Sequence, residues 1–168
     1  TGATATWTGT EVLVVGGHHG DINPGGLYAD GVAYSPVTNR WRQLPSMGVG
    51  RIEHTAIWTG SQLLVWGGQT VRAGARTDAP HGLAYDPTTD SRSTLAPLPR
   101  ARNYLAAAAA NGKLYVFGGA TGDVVPFNQS AVADVDIYDP VTNTWTSGTP
   151  MLAPRYTMGA ATLNGIIY

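Results

Sequence analysis

Val14-Val15-Gly16-Gly17, Val65-Trp66-Gly67-Gly68 and Val116-Phe117-Gly118-Gly119 each close an apolar run, and their first glycines stand at 16, 67 and 118, 51 residues apart both times. A period near fifty in a pattern of short strands points to the blades of a β-propeller. Tyr34-Ser35-Pro36, Tyr85-Asp86-Pro87 and Tyr138-Asp139-Pro140 keep the same beat, as do Arg51, Arg102 and Arg155, each followed by a small-residue strand. Trp41 and Trp145 follow their tyrosines by seven positions, and Arg92 takes the corresponding place in the second unit.

Each period resolves into four strands separated by turn signals. The first strands are read as Gly2–Trp7, His54–Trp58, Leu105–Ala110 and Met158–Leu163, and the second as Glu11–Val15, Gln62–Trp66, Lys113–Phe117 and Gly165–Tyr168. The third are Gly31–Tyr34, Gly82–Tyr85 and Val135–Tyr138, and the fourth centre on Trp41, Arg92 and Trp145. Five consecutive alanines, Ala106 to Ala110, favour helix by intrinsic propensity, yet they align with His54–Trp58, and a crowded strand near an axis requires small side chains. The register predicts strand. The paired glycines are expected where backbone approaches backbone or takes φ > 0. The Pro-x-Thr-Asn/Asp stretches are expected to be turns, which makes Asp86 and Asp139 turn formers.

Composition narrows the function. The chain has 168 residues, a net charge of −1, 12% charged and 43% apolar residues, and no cysteine. That balance lacks the basic excess of a nucleic-acid binder, its apolar runs are too short for a membrane-spanning helix, and thiolate metal sites and cysteine nucleophiles are excluded within this stretch.

The Gly-Gly pair, the Tyr and the downstream Trp make the chain resemble the kelch-repeat β-propeller family. The resemblance covers nearly all of it: blades over about 1–47, 48–99 and 100–151, and a half blade over 152–168. It implies an all-β partial propeller in a single domain. Kelch propellers close with six or seven blades, so the chain is expected to be a fragment completed by further blades of the same or a partner chain. Wording such as Thr55-Ala56-Ile57-Trp58-Thr59-Gly60 resembles bacterial kelch proteins more than animal ligase adaptors, which implies an extracellular or cell-envelope location.

The family's geometry places the long loops His18–Asp30, Gln69–His81 and Ala120–Asp134 on one face with the entries to the first strands. Variable loops on a regular scaffold are where recognition resides. Arg51, Arg102 and Arg155 enter successive first strands and are candidates to bind an anionic protein or glycan partner through their planar forks. The alternative is that they satisfy neighbouring carbonyls between blades. His54, Tyr104 and Tyr156 would line the same mouth, and His18 and His19 complete the candidate binding set. His18-His19-Gly20-Asp21 lacks a third ligand at a fixed spacing, so no metal site is assigned, no cofactor is expected, and no catalytic residue is named. The leading expectation is a non-catalytic binding or scaffolding module. The rival, a carbohydrate-active epimerase or oxidase-like enzyme on the same face, rests on Glu53 beside His54 as the one nearby acid-base pair. Asn128-Gln129-Ser130 has the form of a glycosylation acceptor.

Overall fold

The computed structural model describes residues 2–20, 26–122 and 129–168, and among them regular structure is strand and turn throughout. The first sheet runs β1 (Thr4–Trp7), β2 (Val12–Val15), β3 (Gly31–Ser35), β4 (Arg40–Leu44) in spatial order. The second begins with β5 (Thr55–Trp58) and β6 (Leu63–Trp66). A hairpin of β7 (Gln69–Arg72) and β8 (Ala75–Asp78) projects from it before β9 (Gly82–Asp86) and β10 (Ser91–Leu95) complete the order β5-β6-β9-β10. In the third, β11 (Ala106–Ala110) and β12 (Lys113–Phe117) precede a short hairpin of β13 (Ala120–Thr121) and β14 (Ser130–Ala131), and β15 (Val135–Asp139) and β16 (Thr144–Ser147) finish the order β11-β12-β15-β16. A final hairpin pairs β17 (Thr162–Leu163) with β18 (Ile166–Ile167).

All pairings are antiparallel, and the first strands of successive sheets lie side by side: β1 against β5, β5 against β11, β11 against the last hairpin. This is the partial ring of a β-propeller. The alanine run is strand, with Ala106 opposite Phe117 and Ala110 opposite Lys113. The expected strand over Met158–Leu163 is shorter than the register implied, since only Thr162–Leu163 pairs. The two hairpins inside the long loops are an addition that the four-strand repeat did not anticipate.

The core lies between blades. Leu13, Val15, Ala33, Leu44 and Met47 of the first blade pack on Leu63, Val65, Leu83 and Tyr85 of the second. The other face of the second blade presents Leu64, Trp66, Ala84 and Leu98 to Leu105, Leu114, Val116 and Tyr138 of the third. All four residues of β6 are therefore buried, whereas β2 alternates. A strand with sheets on both sides reads as a continuous apolar run; one covered on a single side alternates.

The sequence markers are the joints of this packing. The N–H of the second glycine donates to the carbonyl of the arginine that opens the next blade: Gly17 to Arg51 at 2.9 Å, Gly68 to Arg102 at 3.0 Å, Gly119 to Arg155 at 2.8 Å. The first glycine must then lie against that same carbonyl, and a Cβ on Gly16, Gly67 or Gly118 would stand 2.6, 2.8 or 2.4 Å from it. All six glycines also have positive φ. At the opposite end of the blades each marker tyrosine donates its hydroxyl to a residue five positions on, itself in the left-handed region: Tyr34 to Asn39 at 2.9 Å, Tyr85 to Asp90 at 2.8 Å, Tyr138 to Asn143 at 2.7 Å. Asn and Asp tolerate that backbone better than most residues because their side chains bond locally.

The outer contact of the second blade is altered as Arg92 implied. Trp145 Nε1 donates to the carbonyl of Ala96 in the preceding blade at 3.1 Å, and its ring packs on Tyr138 and Trp66 at 5.0 and 5.2 Å. Arg92 instead sends its guanidinium to the carbonyl of Ser46 in the first blade.

Candidate functional site

The strands run so that the Gly-Gly ends, the long loops and the entries to the first strands share one face. At its centre Gly2, Glu53, Tyr104 and Thr157, one per repeat, all have positive φ, of 76°, 57°, 52° and 55°. The last three each donate their N–H to the carbonyl of the one before: Glu53 to Gly2 at 3.0 Å, Tyr104 to Glu53 at 2.9 Å, Thr157 to Tyr104 at 3.1 Å. This backbone relay circles the hub and holds non-glycine residues in a conformation that costs about 1–2 kcal/mol each. Strain of this kind concentrates at functional sites.

The relay presents side chains. Tyr104 donates its hydroxyl to Glu53 Oε1 at 2.7 Å, and its ring meets Tyr156 at 6.0 Å. Burial first, and then the bond to the Glu53 carboxylate, push the Tyr104 hydroxyl up to about 12, so it remains a donor at neutral pH. Tyr156 is exposed and so is Arg155 beside it.

Behind this mouth lies a second network centred on Asp78. Its Oδ1 accepts from Asn103 Nδ2 at 2.6 Å and Gln69 Nε2 at 3.4 Å, and its Oδ2 accepts from the Gly122 N–H at 3.0 Å. Gln69 Nε2 also reaches the Gly122 carbonyl at 3.2 Å, and Gln129 Nε2 donates to Asn103 Oδ1 at 2.9 Å. The network ties the β7–β8 hairpin to the third blade. Gln69 and Asn103 are fully buried and stand at opposite ends of equivalent bridges in successive repeats: Ile52 with Gln69, Asn103 with Ala120.

The three arginines part company. Arg102 is fully buried; its Nε donates to the Gly118 carbonyl at 2.7 Å and one terminal nitrogen pairs with Asp136 at 2.7 Å. Arg51, 4% exposed, donates to the carbonyls of His81 at 3.1 Å and Gly67 at 3.4 Å. Both are buried on partners of their own blade, the structural use that repeat position left open, and their forks do not converge on the mouth. Arg155 alone of the three is exposed.

His54 is also turned inward. Its Nε2 bonds Thr4 Oγ1 at 3.0 Å, and burial, reinforced by the Arg51 charge, drives it down to about 3. It is therefore neutral and separate from Glu53, whose carboxylate is engaged by Tyr104. The sequence pairing of Glu53 with His54 does not form. His19 is exposed and packs on Tyr28 at 5.4 Å, and His18 forms a bridge with Leu27. Asp21 and Asn128, named in the loop motifs, lie outside the described residues. Among the described residues no group of three His, Cys, Asp or Glu has metal-binding geometry.

Asp78 and Gln69 were not visible as site residues. The signal was the two-residue Ala73-Gly74 link between alternating segments, a hairpin cue; both residues have positive φ, 49° and 80°, as that turn requires.

Radial four-stranded sheets, the glycine–arginine joints and the central relay define a kelch-type repeat propeller. The family model for the KLHDC2/KLHL20/DRC7 Kelch-repeats domain matches residues 2–168: the chain belongs to the kelch-repeat family. It is 35% identical over 133 residues to human Kelch-like protein 33, covering 78% of this chain and 24% of the relative. It is 30% identical over 162 residues to mouse Kelch-like protein 35, covering 94% and 25%, and 30% identical over 141 residues to an Arabidopsis thaliana F-box/kelch-repeat protein, covering 77% and 36%. The chain thus spans about a quarter to a third of the length of these relatives. The solved structure of YjhT superposes with a TM-score of 0.75 over 98% of this chain and 56% of that one, at 18% identity, which speaks to the fold.

Proposed function

We propose that the protein is a non-catalytic binding module that docks a protein partner on the loop face, with the hub mouth as its centre. The observation that carries this reading is the relay of left-handed residues, which brings Tyr104 and Tyr156 together at the mouth with their rings 6.0 Å apart. Tyrosine and arginine are the residue types enriched at binding hot spots, and Tyr156 is 46% exposed without a core role. His19 and Tyr28 extend the surface outward along the first long loop. Membership in a family of kelch-like proteins supports a binding or scaffolding role.

The test compares Tyr156→Ala and Arg155→Glu with Lys113→Glu on the opposite face in affinity capture from the source organism. A defined set of proteins retained by the wild type and by Lys113→Glu, and lost by both mouth variants, supports the reading. Retention by all three, or loss by Lys113→Glu alone, contradicts it.

A further inference from the structure

On the turn face, away from the hub mouth, the first two blades leave a cleft of about 360 Å³ between them. Small-ligand clefts run from roughly 300 Å³ upward. The second blade contributes Pro87 and half-buried Trp58, which ends β5 opposite Leu63. The Trp58 indole N–H has no acceptor among the described residues, whereas those of Trp66 and Trp145 both donate to the Ala96 carbonyl.

The first blade contributes an ion pair. Arg42 Nε donates to Glu11 Oε1 at 3.2 Å and Arg42 Nη2 to Glu11 Oε2 at 2.7 Å, while Arg42 Nη1 reaches the Tyr85 hydroxyl of the second blade at 3.4 Å. Fork-to-fork pairing of this kind fixes the orientation of both groups. It also leaves bonding capacity, since a guanidinium carries five N–H groups and a carboxylate about four lone-pair sites, of which these bonds use three and two. Both side chains remain reachable, at 41% and 24% exposed. The bond from Arg42 holds the Glu11 carboxyl below its ordinary value, so it is an acceptor at neutral pH. Thr10 and Ser61 add exposed hydroxyls.

This set is particular to one boundary. At the next, strand register puts Gln62, Ser93 and Ala109 at the steps of Glu11, Arg42 and Trp58, and the residues that line the cleft there include no aromatic. The repeat itself therefore does not require it. Glu11 and Arg42 are the charged residues lining the cleft, and their charges cancel. An ionic ligand finds no free counter-charge, whereas a neutral ligand with adjacent hydroxyls can donate to the carboxylate and accept from the guanidinium. A pyranose has such hydroxyls around its rim, and across its faces it has C–H groups that suit the negative face of an indole.

We propose that this cleft binds a neutral pyranose, with vicinal hydroxyls on the Glu11–Arg42 pair and one sugar face on Trp58.

The experiment is an NMR titration that follows the tryptophan indole N–H resonances, with the Trp58 signal identified by its loss in Trp58→Phe. The probes are glucose, galactose, mannose and N-acetylglucosamine, each as the free sugar and as its methyl glycoside, with N-acetylneuraminic acid as the charged comparison. The expected result is a saturable shift of the Trp58 indole with at least one neutral sugar while Trp7, at the equivalent step of the first blade, stays unmoved. Glu11→Gln should weaken that binding at least about tenfold. Binding of methyl glycosides marks the end of a polysaccharide chain as the source, and binding of the unblocked sugars alone marks a free sugar; either supports the proposal. It is overturned by no saturable Trp58 shift up to high millimolar sugar, by a shift shared by all the indoles, by preference for the charged sugar, or by undiminished binding in Glu11→Gln. The wild-type titration decides even if that variant fails to fold.

Discussion

The backbone N–H of Gly68 donates to the carbonyl of Arg102 at 3.0 Å across the boundary between the second and third blades. The same bond recurs at the other two boundaries, which explains why the glycine and arginine series share one period: they are two ends of a single joint. The joint demands glycine on steric and conformational grounds, since Gly68 has φ of +81° and a Cβ there would stand 2.2 Å from the Ile52 carbonyl.

Gly68→Ala is therefore expected to destabilise by at least about 3 kcal/mol, combining backbone strain with a clash that backbone atoms cannot relieve. Gly60→Ala is the control: its φ is +102° but nothing lies within 4 Å of the added Cβ, so the cost should stay near about 1–2 kcal/mol. Urea unfolding of the two variants measures the difference.

Breaking the buried Arg102–Asp136 pair should cost more than any surface ion pair. Asp136→Asn leaves a guanidinium uncompensated in the core, with an expected loss of about 3–5 kcal/mol. Lys113→Gln, which removes an exposed pair with Asp139 at 3.2 Å, should leave stability almost unchanged. Chemical denaturation at neutral pH compares them directly.

Acid stability should report on His54. Its folded value of about 3 lies below the ordinary 6.5, so the unfolded chain binds one more proton between those limits and stability rises with pH across the window. Stability is full above pH 6.5 and falls by roughly 1.4 kcal/mol per unit as pH drops toward 3. In His54→Gln the slope over that range should decrease by one proton, measured as unfolding free energy against pH.

The Tyr–Asx turns should differ in weight. Asn143 Oδ1 accepts both the Tyr138 hydroxyl at 2.7 Å and the Ala96 N–H of the neighbouring blade at 2.8 Å, whereas among the described residues Asn39 Oδ1 accepts from Tyr34 alone, at 2.9 Å. Both positions carry the same strain for alanine, so Asn143→Ala should exceed Asn39→Ala by roughly 1 kcal/mol, the worth of one hydrogen bond.

These comparisons separate what was legible from what was not. The glycine pairs, the tyrosines and the alanine strand could be read because each is dictated by a repeated local environment that forbids alternatives. Repeat position placed the arginines at the blade entries but left their direction open, because the carbonyls that receive them, Gly67 for Arg51 and Gly118 for Arg102, come within reach only in the folded blade. The Asp78 network was hidden for another reason. Its partners come from loops of unequal length, where no period relates Gln69, Asp78 and Gln129, and only the folded hairpin brings them to Asn103.

The central claim is that the hub mouth, and not the turn face, receives the partner. A photo-crosslinking amino acid placed at position 156 and, separately, at position 60 tests it most directly in extracts of the source organism. The account predicts one reproducible protein adduct from position 156 and none from position 60; an adduct confined to position 60 would contradict it.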